Sequence, residues 1–414
     1  PCRHWGVRTS DLSLCVDCKQ PVSEARIEQE EKFAEEIEEA DAIQASLVPH
    51  HEMLYNCAVT VDWLLAFTFD HDCWSKPTWW VNRHIIRNAT SLTRCRYADL
   101  QEHKSFTGAA QGGAAATVFV SHCWGAPWGD AVLAASTGAR SDRLVWFDVF
   151  AVRQWPGNGA DLVFRNIIKR CTAVIVSVSP VAEELRIWNK RRIDKNVFFA
   201  TESGKLARRR LPFFRLWCNV EIAFGASAEK NIVVKGGSAR RNIDGTWSYD
   251  SHGMHETMLH LSYMIDIESC ESTKPEDKER ELGIIYAQKG GVDLVNESVR
   301  GVVLGASQTA GAWHPLVDSA ACGEMEHIEV LISAYNLNPK TNRQSVLDFF
   351  KCACAGGRLN VIQELSRILL TYQKTDKSQW HGETKTTKTT KQTGNEGLNL
   401  VDVINISGSF VDAC

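Results

Sequence analysis

Four short apolar runs constrain this chain more than anything else in it: TVFVS (117–121), RLVWFD (143–148), TAVIVSVS (172–179) and NIVVK (231–235). Each is rich in β-branched or aromatic residues. Segments of helical character lie between them, notably ADLVFRNIIKRC (160–171) and WCNVEIAFGAS (217–227). Continuous apolar strands alternating with helices need cover on both faces, and a parallel sheet flanked by helices supplies it. The expectation is therefore an α/β domain over 117–236.

In an open parallel sheet, ligands collect outside the carboxyl ends of the strands, at a topological switch point. By that rule the first strand delivers Ser121, His122 and Trp124 from SHCWG, the second delivers Asp148, and the third delivers Ser179 just before Pro180. Glu221 joins them from the following helix. It stands one turn beyond Trp217, so both project from the same face. A carboxylate beside an aromatic ring suits cleavage at a sugar carbon that develops oxocarbenium character: the carboxylate stabilises the cation or the incoming water, and the ring holds a flat leaving base. NAD, whose nicotinamide leaves from a ribose, is one such substrate. Plainer roles stand beside these: Trp124 and Trp217 as core aromatics, Asp148 as a turn cap, Glu221 as a surface carboxylate paired with Arg215. His122 and Cys123 are not expected to form a dyad, because neighbours on an extended strand end point oppositely.

A family resemblance adds to this reading. Val118 to His122 resembles the opening strand of TIR (Toll/interleukin receptor) domains, "x-F-I-S-H/F", and VIVSVSP followed by LWCNVEI is similar to their strand, Ser and Trp-Cys-Leu-x-Glu-Leu stretch. SHCWG and VWFDVFAVRQ also resemble the "L-S-Y-x-W-G" and "W-I-D-x-x-C-I-N-Q" of the fungal heterokaryon-incompatibility (HET) domain. The region thus looks like a TIR/HET-type domain of the kind carried by multidomain proteins of algae and other microbial eukaryotes. That resemblance implies a flavodoxin-like (TIR-like) sheet, self-association, and a catalytic Glu221 in those members that hydrolyse NAD. Two departures stand out: an insertion at 181–211 separates the third strand from Trp217, and the usual second-strand loop is replaced by Asp148 to Trp155.

The flanking regions carry further expectations. Cys2, His4, Cys15 and Cys18 have the ligand chemistry of a small zinc knuckle over 1–22. Residues 23–49 read as an acidic linker helix; its AIQASL end partly resembles a ubiquitin-interacting helix, but Glu39 stands where that family has a large apolar residue. Residues 50–116 read as a mostly helical segment preceding the core, the basic stretch 181–211 as a solvated loop, and 250–310 as a helical extension. Within 311–370, Gly323 and Gly356 stand 33 positions apart in two similar helical units, a spacing that resembles ankyrin repeats and implies a protein partner. The tail 371–414 reads as disordered.

Among 414 residues, 23% are charged and the formal net charge is −4, which argues against a nucleic-acid partner. No run reaches 18 apolar residues, so no membrane span is expected. The 14 cysteines form no compact disulfide framework and no leader precedes them, which points to the cytoplasm or nucleus. The start at Pro1 rather than Met suggests a fragment of a longer chain.

Overall fold

The computed structural model describes residues 6–9, 12–15, 24–47, 49–107, 117–180, 195–251, 254–307, 315–324, 327–328 and 330–331. Its organising element is a strand buried along its whole length, Thr117–Ser121. The side-chain period of two sends Val118 and Val120 into one hydrophobic core and Phe119 into another on the opposite face. Numbering strands along the chain, β1 is Gly6–Thr9, β2 Leu12–Cys15, β3 Val59–Thr60, β4 Thr117–Ser121, β5 Leu144–Trp146, β6 Ala173–Val178 and β7 Asn231–Gly236. The central sheet has the order β3-β5-β4-β6-β7. Its last four members are mutually parallel, with Val118 opposite both Val145 and Ala173. β3 pairs antiparallel with β5 at the edge. The molecule is thus α/β, with a mostly parallel five-stranded sheet between helices.

From β4 the chain steps outward to β5, then returns past β4 to β6 and β7. The winding direction reverses between β4 and β6, the position where an α/β sheet leaves a crevice. The helix Trp128–Ser136, with Val61–Asp70 behind it, covers one face. The helices Phe164–Arg170, Leu216–Ser227 and Gly291–Ser307 cover the other. Gly225 permits a close approach of the helix Leu216–Ser227 to β7, since a Cβ there would stand 2.7 Å from Ile232 Cδ1.

Segments that read as flanking in the sequence are built into this body. Residues 50–107 supply β3 and bring Phe67 and Tyr97 into the core. The extension beyond 250 buries Met254, Met258, Val299 and Val303 against the same core as β6. The acidic helix Glu24–Leu47 is no free linker: Ala34 is buried, and Asp41 accepts from Arg96 at 2.8 Å and lies 3.4 Å from Arg153. Nor is the basic insertion a solvated loop where it is described. Residues 195–211 form the helices Lys195–Ala200 and Glu202–Arg210, with Phe198, Ala207 and Leu211 buried.

β1 and β2 form an antiparallel hairpin that pairs Gly6 with Cys15. The side chains of Cys2, His4, Cys15 and Cys18 lie outside the described residues, as do the second ankyrin-like unit and the tail. Of the first unit, the helix Pro315–Ala321 is described. It is seated by a buried ionic group in which Asp318 lies 2.8 Å from Arg143 and 2.9 Å from Lys235, while Glu324 also receives Arg143. Among the described residues, no helix is long and apolar enough to cross a membrane.

Candidate functional site

β4 ends in SHCWG at the crevice left by the reversal, and alternation decides where each side chain goes. Ser121 shares the face of Phe119, toward the helix Leu216–Ser227, where its hydroxyl lies near Glu221 without a hydrogen bond among the described residues. His122 turns to the other face, its ring packing on Phe147 at 5.3 Å and Trp128 at 6.2 Å. Cys123 donates instead to the carbonyl of Arg209, and burial pushes its thiol up to about 11, which leaves it a poor nucleophile. Gly125 allows this seam: a Cβ there would lie 2.2 Å from the Arg209 carbonyl oxygen.

β5 delivers Asp148 at the start of the short helix Asp148–Ala151. Trp124 Nε1 donates to Asp148 Oδ2 at 2.8 Å, and His122 Nδ1 stands 4.0 Å from Oδ1. Gln154 fixes the bend beneath, donating to the backbone carbonyls of Asp148 and Val152 at 3.0 Å each. Asp148 Oδ1 and His122 Nε2 are buried polar atoms without a hydrogen bond among the described residues. Such atoms are uncommon in folded interiors, and these two belong to residues that line one cleft.

The helix Leu216–Ser227 supplies the remaining pair. Trp217 packs edge-on against Phe164 at 5.4 Å, and Glu221, one turn later, is 7% exposed. Burial pushes the Glu221 carboxyl up to about 8, and the negative charge of Asp148 adds to the rise; the Ser121 hydroxyl pulls the other way. Arg215 does not pair with it. That guanidinium goes to Glu271 at 3.4 Å and Thr273 at 3.0 Å. Burial likewise holds the His122 imidazole below its ordinary value, against the opposing pull of Asp148 and of the Val120 backbone.

Five of the sequence-selected residues (His122, Trp124, Asp148, Trp217 and Glu221) line one cleft of about 240 Å³, with Ser121 in contact behind Glu221. Ser179 is not among them. It shares the face of Ala173 and Ile175, across the sheet from Glu221, and its hydroxyl lies near Asp130, which accepts from the Ala239 amide at 2.8 Å. Sequence reasoning placed Arg215 near Glu221 but missed the rest of the outer wall, including Phe164, Glu271 and Lys274. Phe164 reads as core, and the loop around 271–277 reads as punctuation, so nothing in the sequence marks either.

The residues together offer a buried acid whose carboxyl is pushed toward its neutral form, an aromatic wall and a second acid tied to an indole. Among the described residues, no group of three or more His, Cys, Asp or Glu side chains is placed to hold a metal ion. Compared with known proteins, the chain matches no family model, no curated protein and no solved structure.

Proposed function

We propose that this chain is a signalling protein with a TIR/HET-like domain that cleaves NAD at the nicotinamide–ribose bond when assembled. The strand order of the parallel part, β5-β4-β6-β7 with its reversal between β4 and β6, supports this reading, since a flavodoxin-like sheet reverses at the same place. One observation carries the reading: Glu221 is buried in the cleft beside Trp217 and Asp148 with no ion pair among the described residues. A carboxyl held so is short of a cation. The nicotinamide ring of NAD is cationic, so its arrival favours the ionised form of Glu221. Trp217 holds the flat ring. As the C–N bond breaks, its electron pair leaves with neutral nicotinamide, and positive charge grows on the ribose, where ionised Glu221 stabilises it. Water then adds to the same carbon and gives its proton to Glu221, leaving ADP-ribose, nicotinamide and one proton.

The test follows nicotinamide release by the purified, concentrated chain. Glu221→Gln should lower turnover about 10²- to 10³-fold while the circular dichroism spectrum is kept. Unchanged turnover in this variant overturns the assignment.

A second reading is a non-catalytic scaffold in which the α/β domain self-associates and the ankyrin-like helices bind a protein partner. What favours it is the helix Pro315–Ala321, seated rigidly on the sheet by Arg143 and Lys235. Concentration-dependent self-association without any nicotinamide release would select this reading.

The hairpin pairing of Gly6 with Cys15 supports zinc binding by Cys2, His4, Cys15 and Cys18, since it turns the chain back on itself between the two ligand pairs. Metal analysis should find about one zinc per chain, lost in Cys15→Ser/Cys18→Ser.

A further inference from the structure

The net charge that argues against a nucleic-acid partner is an average over unlike regions. The helix Glu24–Leu47 alone holds nine acidic and two basic residues. Residues 73–98, CWSKPTWWVNRHIIRNATSLTRCRYA, hold five Lys or Arg, three Trp and no acid.

Within that stretch, 78–89 is helical throughout, as Thr78–Val81, a π-helical turn Asn82–Ile86 and Arg87–Ala89. Val81, Ile85 and Ile86 are buried in the core and seat one side of it. Its start is tied to the SHCWG turn: the Thr78 and Trp79 amides donate to the carbonyls of Ala126 and Trp124 at 3.2 and 3.0 Å.

The outer side carries cations and rings. Trp79 is 47% exposed. Lys76 is exposed, its ammonium 5.3 Å from the centroid of the Trp80 ring, and the exposed His84 ring lies 4.6 Å from that same indole. Arg83 follows, then Arg87, whose guanidinium lies over the Trp155 ring at 4.9 Å. Arg96 takes no part, because it turns inward to Asp41, Asp99 and Asp161.

A cation resting on an aromatic face keeps its charge while the ring fixes where it stands. Fixed cations beside an exposed indole suit a single-stranded nucleic acid: the phosphates meet Lys and Arg, and an unstacked base lies on the indole. A membrane surface would instead have to take up the apolar side of the helix, and Val81, Ile85 and Ile86 are already committed to the core.

We infer that the face bearing Lys76, Trp79, Arg83 and Arg87 binds single-stranded nucleic acid with little sequence preference. It does so independently of any cleavage of NAD.

The test measures fluorescence anisotropy of a labelled oligothymidine of about 20 nucleotides titrated with the full chain. At low salt Kd should be on the order of 10 µM and should weaken steeply as salt is added. Trp79→Ala should weaken binding about tenfold and leave the salt slope unchanged. Lys76→Ala should weaken it several-fold and lower the slope by about 0.7, the share of one phosphate contact. Both positions are exposed, so both variants should keep the wild-type circular dichroism spectrum. Lys289→Ala, between the helices Pro275–Tyr286 and Gly291–Ser307, should stay within about twofold of wild type. No binding at about 100 µM chain in low salt overturns the inference. So does an unaltered affinity in Trp79→Ala, which would leave a site for any polyanion, or an equal loss in Lys289→Ala. Phosphatidylserine vesicles bound through Trp79 while the oligonucleotide is not would give the face to lipid and overturn it as well.

Discussion

Glu221 and Asp318 are both buried acids on the same sheet, and their surroundings pull them in opposite directions. Asp318 is wholly buried, yet Arg143 and Lys235 at 2.8 and 2.9 Å overcome the cost of burial and hold its carboxyl below the ordinary range. Asp161 repeats the pattern, with His50, Arg96 and Arg153 around it outweighing burial. At Glu221 burial is nearly as complete, but no cation pairs with it among the described residues, and the carboxyl rises to about 8, burial being the main cause and the charge of Asp148 a smaller one. Burial is common to all three; the partner decides the charge. An acid serving architecture is neutralised by its neighbours, whereas an acid left wanting a positive charge is available to a ligand that brings one.

The contrast can be broken most forcefully from the architectural side. Arg143→Met leaves Asp318 and Glu324 buried beside a hydrocarbon chain, and should cost about 3–5 kcal/mol in urea unfolding. A loss below about 1 kcal/mol would mean that the ionic seat of the helix Pro315–Ala321 is incidental. Glu221→Gln should do the reverse for stability. The folded pKa of Glu221 lies above its unfolded value near 4.5, so its contribution is full below about 4.5 and is lost as pH rises through about 8. Relative to wild type, the Gln variant should therefore gain a few kcal/mol between pH 5 and pH 8. Asp318 behaves with the opposite sign. Its pKa is depressed, so its stabilisation is present at neutral pH and is lost as pH falls from the ordinary carboxylate range down through the lower folded pKa. Unfolding midpoints measured across pH should separate these two limbs, and a pH-independent difference between wild type and Glu221→Gln would refute the assignment.

The smallest effect sharpens the comparison within the cleft. With ionised Glu221 the active form, kcat/KM for NAD should climb with an apparent pKa near 8. Asp148→Asn removes the neighbouring negative charge and should move that limb about half a unit lower. An unmoved limb would show that Asp148 is too well screened to influence its neighbour.

Much of the framework was legible because burial writes itself into composition. The four parallel strands fall on the four apolar runs, and Trp217 and Glu221 meet the ends of β4 and β5 as the switch-point rule requires. β3 was not legible: Val59 and Thr60 are too short a run to stand out among helices. Ser179 was misplaced because alternation fixes which side chains share a face but not which face the helix Leu216–Ser227 will cover. The described part of the insertion and the Glu24–Leu47 helix looked solvated because their many charges hide the few groups that dock, Phe198 and Ala207 in one, Ala34 and Asp41 in the other.

The grip of Asp41 has a mechanical consequence. The helix that carries it spans 24 residues, roughly 36 Å, and its far end leads back to the N-terminal hairpin. Asp41 engages Arg153, and the next residue is Gln154, whose amide fixes the backbone at Asp148. The Glu24–Leu47 helix is thereby joined, through Asp41 and Arg153, to the residue next to the Gln154 that shapes the wall of the cleft.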